Sequence, residues 1–92
     1  MNRSNMQIMY DVLSLLEGRN EGIKPTRIMY GANLSHDMLK QYLGESLAFG
    51  FARNQDNRWF LVEKGHTFLR KMRDIAELFV MEKEAGAIAI IR

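Results

Sequence analysis

At 92 residues the chain has room for one domain, whose core is only moderately stable by itself. With 47% hydrophobic and 26% charged residues it is too apolar for a disordered segment, and without cysteine it has no disulfide, zinc–cysteine centre or thiol nucleophile. The net charge is only +2, divided as 7 basic against 6 acidic residues in 1–62 and 6 against 5 in 63–92, so attraction for a polyanion must come from local placement of charge.

Residues 4–17 are predicted to form a first helix. Ser4 and Gln7 have the spacing of a capping box, and Ile8, Met9, Val12, Leu13 and Leu16 make one apolar stripe. Gly18 stands where a helix stop is expected, and Arg19-Asn20-Glu21-Gly22 is loop-like. A short second helix is predicted over 25–32, with Pro25 at its first position and Ile28, Met29 and Ala32 on one face. Asn33 tolerates a left-handed turn better than most residues.

Ser35 is a suitable N-cap for a third helix over 35–48, and Leu34 and Leu39 have the spacing of a hydrophobic staple. Asp37 falls in the first turn, where the helix dipole favours an anion. Leu39, Tyr42, Leu43 and Leu47 are expected to be buried, leaving His36, Asp37, Lys40, Gln41 and Gly44 on the other face. A hairpin follows, with strands over 51–54 and 58–62 around Asp56-Asn57. Both faces of its second strand are apolar: Trp59 and Leu61 on one, Phe60 and Val62 on the other. A last helix is predicted over 64–84. Phe68, Met72, Ile75 and Phe79 form a heptad-like seam along it, and the consecutive Leu78 to Met81 widen the apolar surface beyond one stripe. Gly86 is expected to weaken the helix beyond that, leaving 85–92 as an apolar tail.

Two helices joined by a tight connection make a helix-turn-helix, and a hairpin directly after it makes a winged helix. The expected fold is mainly α (α+β): a winged helix-turn-helix of three helices, a β-hairpin wing and a long C-terminal helix. Residues 1–62 form the core of this single domain, and 63–84 form the helix that pairs protomers.

The stretch TRIMYGANLS, with LKQYL after it, closely resembles a family of small archaeal winged-helix DNA-binding proteins and predicted transcriptional regulators. LVEKGHTFL resembles that family's Leu-Thr-x-Lys-Gly-x-x-Phe-Leu at the junction of wing and last helix, and the likeness covers roughly residues 4–75 in order. The resemblance implies a winged helix that binds double-stranded DNA and a homodimer made by an antiparallel coiled coil of the last helix. Two departures stand out. Val62 replaces the family's Thr and removes a side-chain N-cap, and the Ala/Ile tail stands where the family extends its heptads.

The candidate DNA-binding residues fall in three groups. Ser35, His36, Lys40 and Gln41 are polar groups near the start of the third helix, of the kind a major-groove helix needs; Gln41 can pair with adenine, and Lys40 with guanine or a phosphate. By periodicity alone the same face reads equally well as the solvated side of an amphipathic helix. Lys24, Thr26 and Arg27 at the start of the second helix suit a phosphate. Arg53, Asn54 and Arg58 in the wing can straddle a phosphate backbone or enter a minor groove, although most hairpin tips are equally polar. Tyr30 is expected in the core, and Arg27 has a carboxylate bond as its structural alternative.

His36 and His66 lack carboxylates at metal-ligand spacing, so neither metal nor cofactor is expected. No nucleophile elbow, phosphate loop or catalytic carboxylate pair is recognisable, and no enzymatic activity is expected. No apolar run approaches the roughly 20 residues of a membrane span. MNRSNMQIMY lacks an apolar signal core, so a cytoplasmic, nucleoid-associated location is expected. The expected partner is double-stranded DNA, bound as a transcriptional regulator or nucleoid organiser; a protein-interaction module is the alternative. Phe68, Met72, Ile75 and Phe79 are the expected dimer contacts, with the Ile-rich tail contributing.

Overall fold

The computed structural model describes residues 3–91, with side chains as far as Met81. In chain order the elements are α1 (Asn5–Leu16), α2 (Pro25–Gly31), α3 (His36–Ala48), β1 (Ala52–Gln55), β2 (Arg58–Leu61) and α4 (Glu63–Ile91).

α1 starts in the predicted capping box. The Gln7 amide donates to Ser4 Oγ at 3.1 Å, and the Ser4 amide to Gln7 Oε1 at 2.8 Å, which satisfies two amides that the first turn leaves unpaired. The α1 stripe of Ile8, Met9, Val12, Leu13 and Leu16 is buried and forms the centre of the core with Ile28, Leu39, Tyr42, Leu43, Trp59 and Leu69. At ~25 cal/mol per Å² of apolar surface removed from water, this contact is the main stabilising term of so small a domain.

The connection between α2 and α3 is a Schellman motif. Asn33 has φ 54°, the Leu34 amide donates to the Met29 carbonyl at 2.9 Å, and the Asn33 amide donates to Tyr30 at 3.2 Å. The Ser35 cap follows at once: its Oγ accepts the Met38 amide at 3.2 Å. Stop and start signals therefore sit in adjacent residues. Arg3 ties the turn to α1, donating to the Asn33 carbonyl at 3.1 Å and to Asp11 at 2.7 Å.

α3 ends in a second Schellman motif, with Gly50 at φ 74° and the Phe51 amide donating to the Ser46 carbonyl at 2.9 Å. Here one expectation fails. Leu47 is 48% exposed, and Ser46 is buried in its place. Leu39, Tyr42, Leu43 and Ser46 complete the inward face at i, i+3, i+4 and i+7, so Leu47 falls on its margin. The Ser46 hydroxyl stays satisfied by donating to the Leu43 carbonyl at 2.7 Å.

β1 and β2 pair antiparallel from Ala52↔Leu61 to Gln55↔Arg58. Both turn residues have positive φ, Asp56 at 53° and Asn57 at 59°, as a type I′ turn requires. The loop before α2 adds a further rung: Ile23 and Trp59 exchange amide–carbonyl bonds of 3.0 and 2.9 Å. Trp59 is buried against the helices. The opposite, apolar Phe60 is covered by the 18–22 loop and by Arg53, whose guanidinium lies 4.3 Å from the ring centre. Gly22 makes that cover possible. Its φ is 75°, and a Cβ there would come within 2.7 Å of the Phe60 ring.

α4 starts without a side-chain cap, yet its first turn is anchored. The Val62 amide donates to the Phe51 carbonyl at 3.1 Å, and the Val62 carbonyl accepts the His66 amide at 3.0 Å. Gly65 lies so close that a Cβ would collide with the Phe51 carbonyl oxygen, which is a physical reason for the glycine in LVEKGHTFL. Further along, Leu69 is fully buried, and Phe68 packs on Phe51 with ring centres 4.9 Å apart. Arg73 then joins α4 to α1, donating to Glu17 at 2.6 and 2.9 Å and to the Tyr10 hydroxyl at 3.0 Å. The Arg73 hydrogen bond holds the Glu17 carboxyl below its ordinary range, outweighing the desolvation that opposes it.

The helix does not stop at 84 as expected but runs through Gly86 to Ile91. One glycine costs only ~1 kcal/mol relative to alanine, and the flanking alanines are the best helix formers. At 29 residues, α4 is about 43 Å long, and it dominates the 58 Å long axis of the molecule. The side chains of the Ile-rich tail, expected to add to a dimer contact, lie outside the described residues.

Candidate nucleic-acid interface

The capped start of α3 presents His36, Asp37, Lys40 and Gln41 to solvent, and a Cβ on Gly44 would meet nothing within 4 Å. Ser35 Oγ is engaged in the cap. Gln41 donates to Glu45 at 3.0 Å along the same face. This surface offers hydrogen-bonding groups and a single lysine, with two carboxylates beside them.

The second predicted group meets one residue of the third, Arg58. Lys24, Thr26 and Arg27 line one depression with Arg58 and Tyr30, about 490 Å³ in volume. Because the chain enters α2 directly from the Ile23–Trp59 rung, the start of α2 is held beside β2. Arg58 reaches the Gly22 carbonyl there through a long 3.4 Å contact. Tyr30, expected in the core, is 75% exposed and forms a wall of this depression. Its place on α2 is opposite Ile28, which takes the buried position. The carboxylate bond considered for Arg27 is absent among the described residues, whose ion pairs are Arg3–Asp11 and Arg73–Glu17.

The wing differs from a straddling pair of arginines. Strand alternation puts Arg53, Gln55, Arg58 and Phe60 on one face and Asn54 with Trp59 on the other. Both arginines therefore point toward the 18–22 loop. Arg53 also donates to Gln55 at 2.9 Å.

Arg19 is a further cation beside these groups. It lines a depression with Arg27 and Arg58, and an adjoining one with Arg53 and His66. Its only signal in the sequence is a basic residue in a glycine-bounded loop. Its neighbours come from pairing between residues 36 positions apart.

Of the predicted seam, Phe68 and Met72 are half-buried within the chain, whereas Ile75 and Phe79 are 60% and 65% exposed. Leu78, Val80 and Met81 are exposed too.

A profile of winged helix-turn-helix proteins matches residues 2–79. The chain belongs to the winged helix-turn-helix family. Two proteins of similar sequence are archaeal, both from Methanocaldococcus jannaschii. The uncharacterised protein MJ0290 is 31% identical over 81 residues, which is 88% of this chain and 37% of that protein. The uncharacterised protein MJ0287 is 28% identical over 76 residues, 83% of this chain and 76% of that one. This winged helix thus spans little more than a third of the first relative's length. Among solved structures, the fold is similar to that of Sso10a-2, a DNA-binding protein from Sulfolobus solfataricus, with a TM-score of 0.71, 21% identity and 98% of each chain covered. Among the described residues of this winged helix, no helix is long and apolar enough to cross a membrane.

Proposed function

We propose that this winged helix binds double-stranded DNA, with α3 in the major groove and the start of α2 and the hairpin on the phosphate backbone. The observation that carries the reading is the convergence of Lys24, Thr26 and Arg27 with Arg58 in one open depression of a helix-turn-helix. Among the described residues these three cations have no carboxylate partner. A phosphate would find donors there without first displacing an acid. The likeness of fold to a DNA-binding protein supports the same reading. In it His36, Lys40 and Gln41 face base edges, and Ser35 orders the turn that presents them. The protein then acts at the nucleoid, as a transcriptional regulator or a DNA organiser.

The exposed apolar half of α4 supports a homodimer through Ile75 and Phe79, continued inward by Met72 and Phe68. Pairing there would cover a run of large apolar side chains that is costly to leave in water. It would also set the spacing of two half-sites.

Titration of a fluorescent duplex at increasing salt tests the reading. Log affinity should fall linearly with log salt, with a slope of about −0.9 per neutralised phosphate. Lys40→Ala and Arg58→Ala should each weaken binding. Selection of bound sequences from random DNA separates the two roles, since a regulator returns a motif and an organiser does not. A second reading, a protein-interaction module, is favoured by Asp37 and by the Gln41–Glu45 bond, which give α3 a partly acidic face. Binding that is absent at low salt, or insensitive to salt, would favour that reading instead.

A further inference from the structure

The cations beside α2 continue past the wing. Arg27 and Arg58 share a depression of about 390 Å³ with Arg19, and Arg19 shares the next one, about 240 Å³, with Arg53 and His66. Lys24 lies at the α2 end with Arg27 and Arg58. Lys24, Arg27, Arg58, Arg19 and Arg53 therefore form a band across the outer face of the hairpin and its covering loop. None of the five is ion-paired among the described residues, and Glu21 is the acid in the band.

The band is built rather than accidental. The Arg19 backbone is fixed in a turn: its amide donates to the Leu16 carbonyl at 3.3 Å, and its carbonyl accepts the Gly22 amide at 3.0 Å. Gly18 and Gly22, at φ 73° and 75°, bound that turn. Arg53 is held over Phe60 and Arg58 by the Gly22 carbonyl, and neither contact neutralises charge. Positioned guanidiniums lose little side-chain freedom when they take up a phosphate. A chain with a net charge of +2 has gathered five cations on one surface.

We propose that the 18–22 loop is part of the DNA contact, with Arg19 carrying the duplex backbone from the α2–wing contact around the outer face of the hairpin. This rests on the DNA-binding reading and extends its footprint. The contact is to phosphates and not to bases, because arginines on a turn and a sheet face reach backbone oxygens without entering a groove. Arg19 therefore adds affinity on every sequence and no preference among them.

The test is salt-dependent binding to a duplex of about 30 base pairs, long enough to follow the band at 3.4 Å rise per pair, for the parent chain, Arg19→Gln and Glu21→Gln. Arg19→Gln should reduce the salt slope by about 1 and weaken binding several-fold, equally on unrelated sequences. Glu21→Gln should strengthen binding. Arg19 is exposed, so the melting temperature of Arg19→Gln should equal that of the parent. An unchanged slope and affinity in Arg19→Gln, with salt-dependent binding by the parent, overturns the loop contact and leaves the DNA reading standing. A loss confined to one sequence also overturns it, since a phosphate contact is indifferent to sequence. If the parent fails to bind at low salt, both readings fall together.

Discussion

The two halves of α4 obey different rules although one helix carries both. In the first half, Gly65 and Leu69 are buried, and Phe68 and Met72 are half-buried against the winged helix. From Arg73 to Met81 every residue is exposed, although Ile75, Leu78, Phe79, Val80 and Met81 are as apolar as those that precede them. Hydrophobicity alone therefore does not place a residue in this core. Among the described residues, the bonds of Arg73 to Glu17 and Tyr10 are the last hydrogen bonds from α4 to the rest of the domain. From Ile75 to Met81, the large apolar side chains stay in solvent because the core of their own chain does not cover them.

The largest test of this contrast lies in the seated half. Leu69→Ala should cost about 2–5 kcal/mol in chemical denaturation, because a fully buried leucine leaves a cavity the small core cannot collapse into. Gly65→Ala should cost about 1–3 kcal/mol, because the methyl group meets the Phe51 backbone rather than a side chain that can move aside. In the free half, Ile75→Asp with Phe79→Asp should leave the melting temperature of a dilute sample near that of the parent while reducing the sedimenting mass from two protomers to one. A parent that sediments as a monomer at micromolar concentration contradicts the proposed seam.

The smallest effect belongs to the boundary. Glu17 is an acid whose pKa is lowered in the fold, so its contribution is complete above the ordinary carboxylate range and is lost as pH falls through the lowered value. Glu17→Gln should lower the melting temperature slightly at neutral pH and lessen its decline in acid, as read by thermal melts at several pH values. The pair is partly exposed, and solvent screening keeps the effect below that of either core substitution.

Local chemistry was legible in the sequence wherever a signal and its target lie within one turn of each other. The Ser4–Gln7 box, Pro25 at the start of α2, the left-handed Asn33, the Ser35 cap and the Asp56-Asn57 turn all stand where the residue types require. Periodicity identified the α1 stripe for the same reason. Periodicity failed at Leu47, and the usual burial of an aromatic failed at Tyr30, because exposure depends on what the neighbouring elements cover; the low helix propensity of Gly86 misled at residues 85–91, where a helix already nucleated absorbs a glycine that would hinder an isolated one.

The candidate site divides in the same way. The polar face of α3 follows from the helical spacing of the apolar residues that bury its other side. That Arg53 and Arg58 share a sheet face follows from β alternation once the register is known. The gathering of Lys24, Arg27, Arg58, Arg19 and Arg53 required the Ile23–Trp59 rung, which carries the 18–22 loop onto Phe60. By itself the sequence determined the capped ends of the first three helices, the tight turn and the wing, because caps and turns are satisfied by backbone groups a few residues away. Only the tertiary structure decided which cations stand together and which apolar side chains stay uncovered, because both depend on segments far apart in the chain meeting across a core too small to cover α4 from Ile75 to Met81.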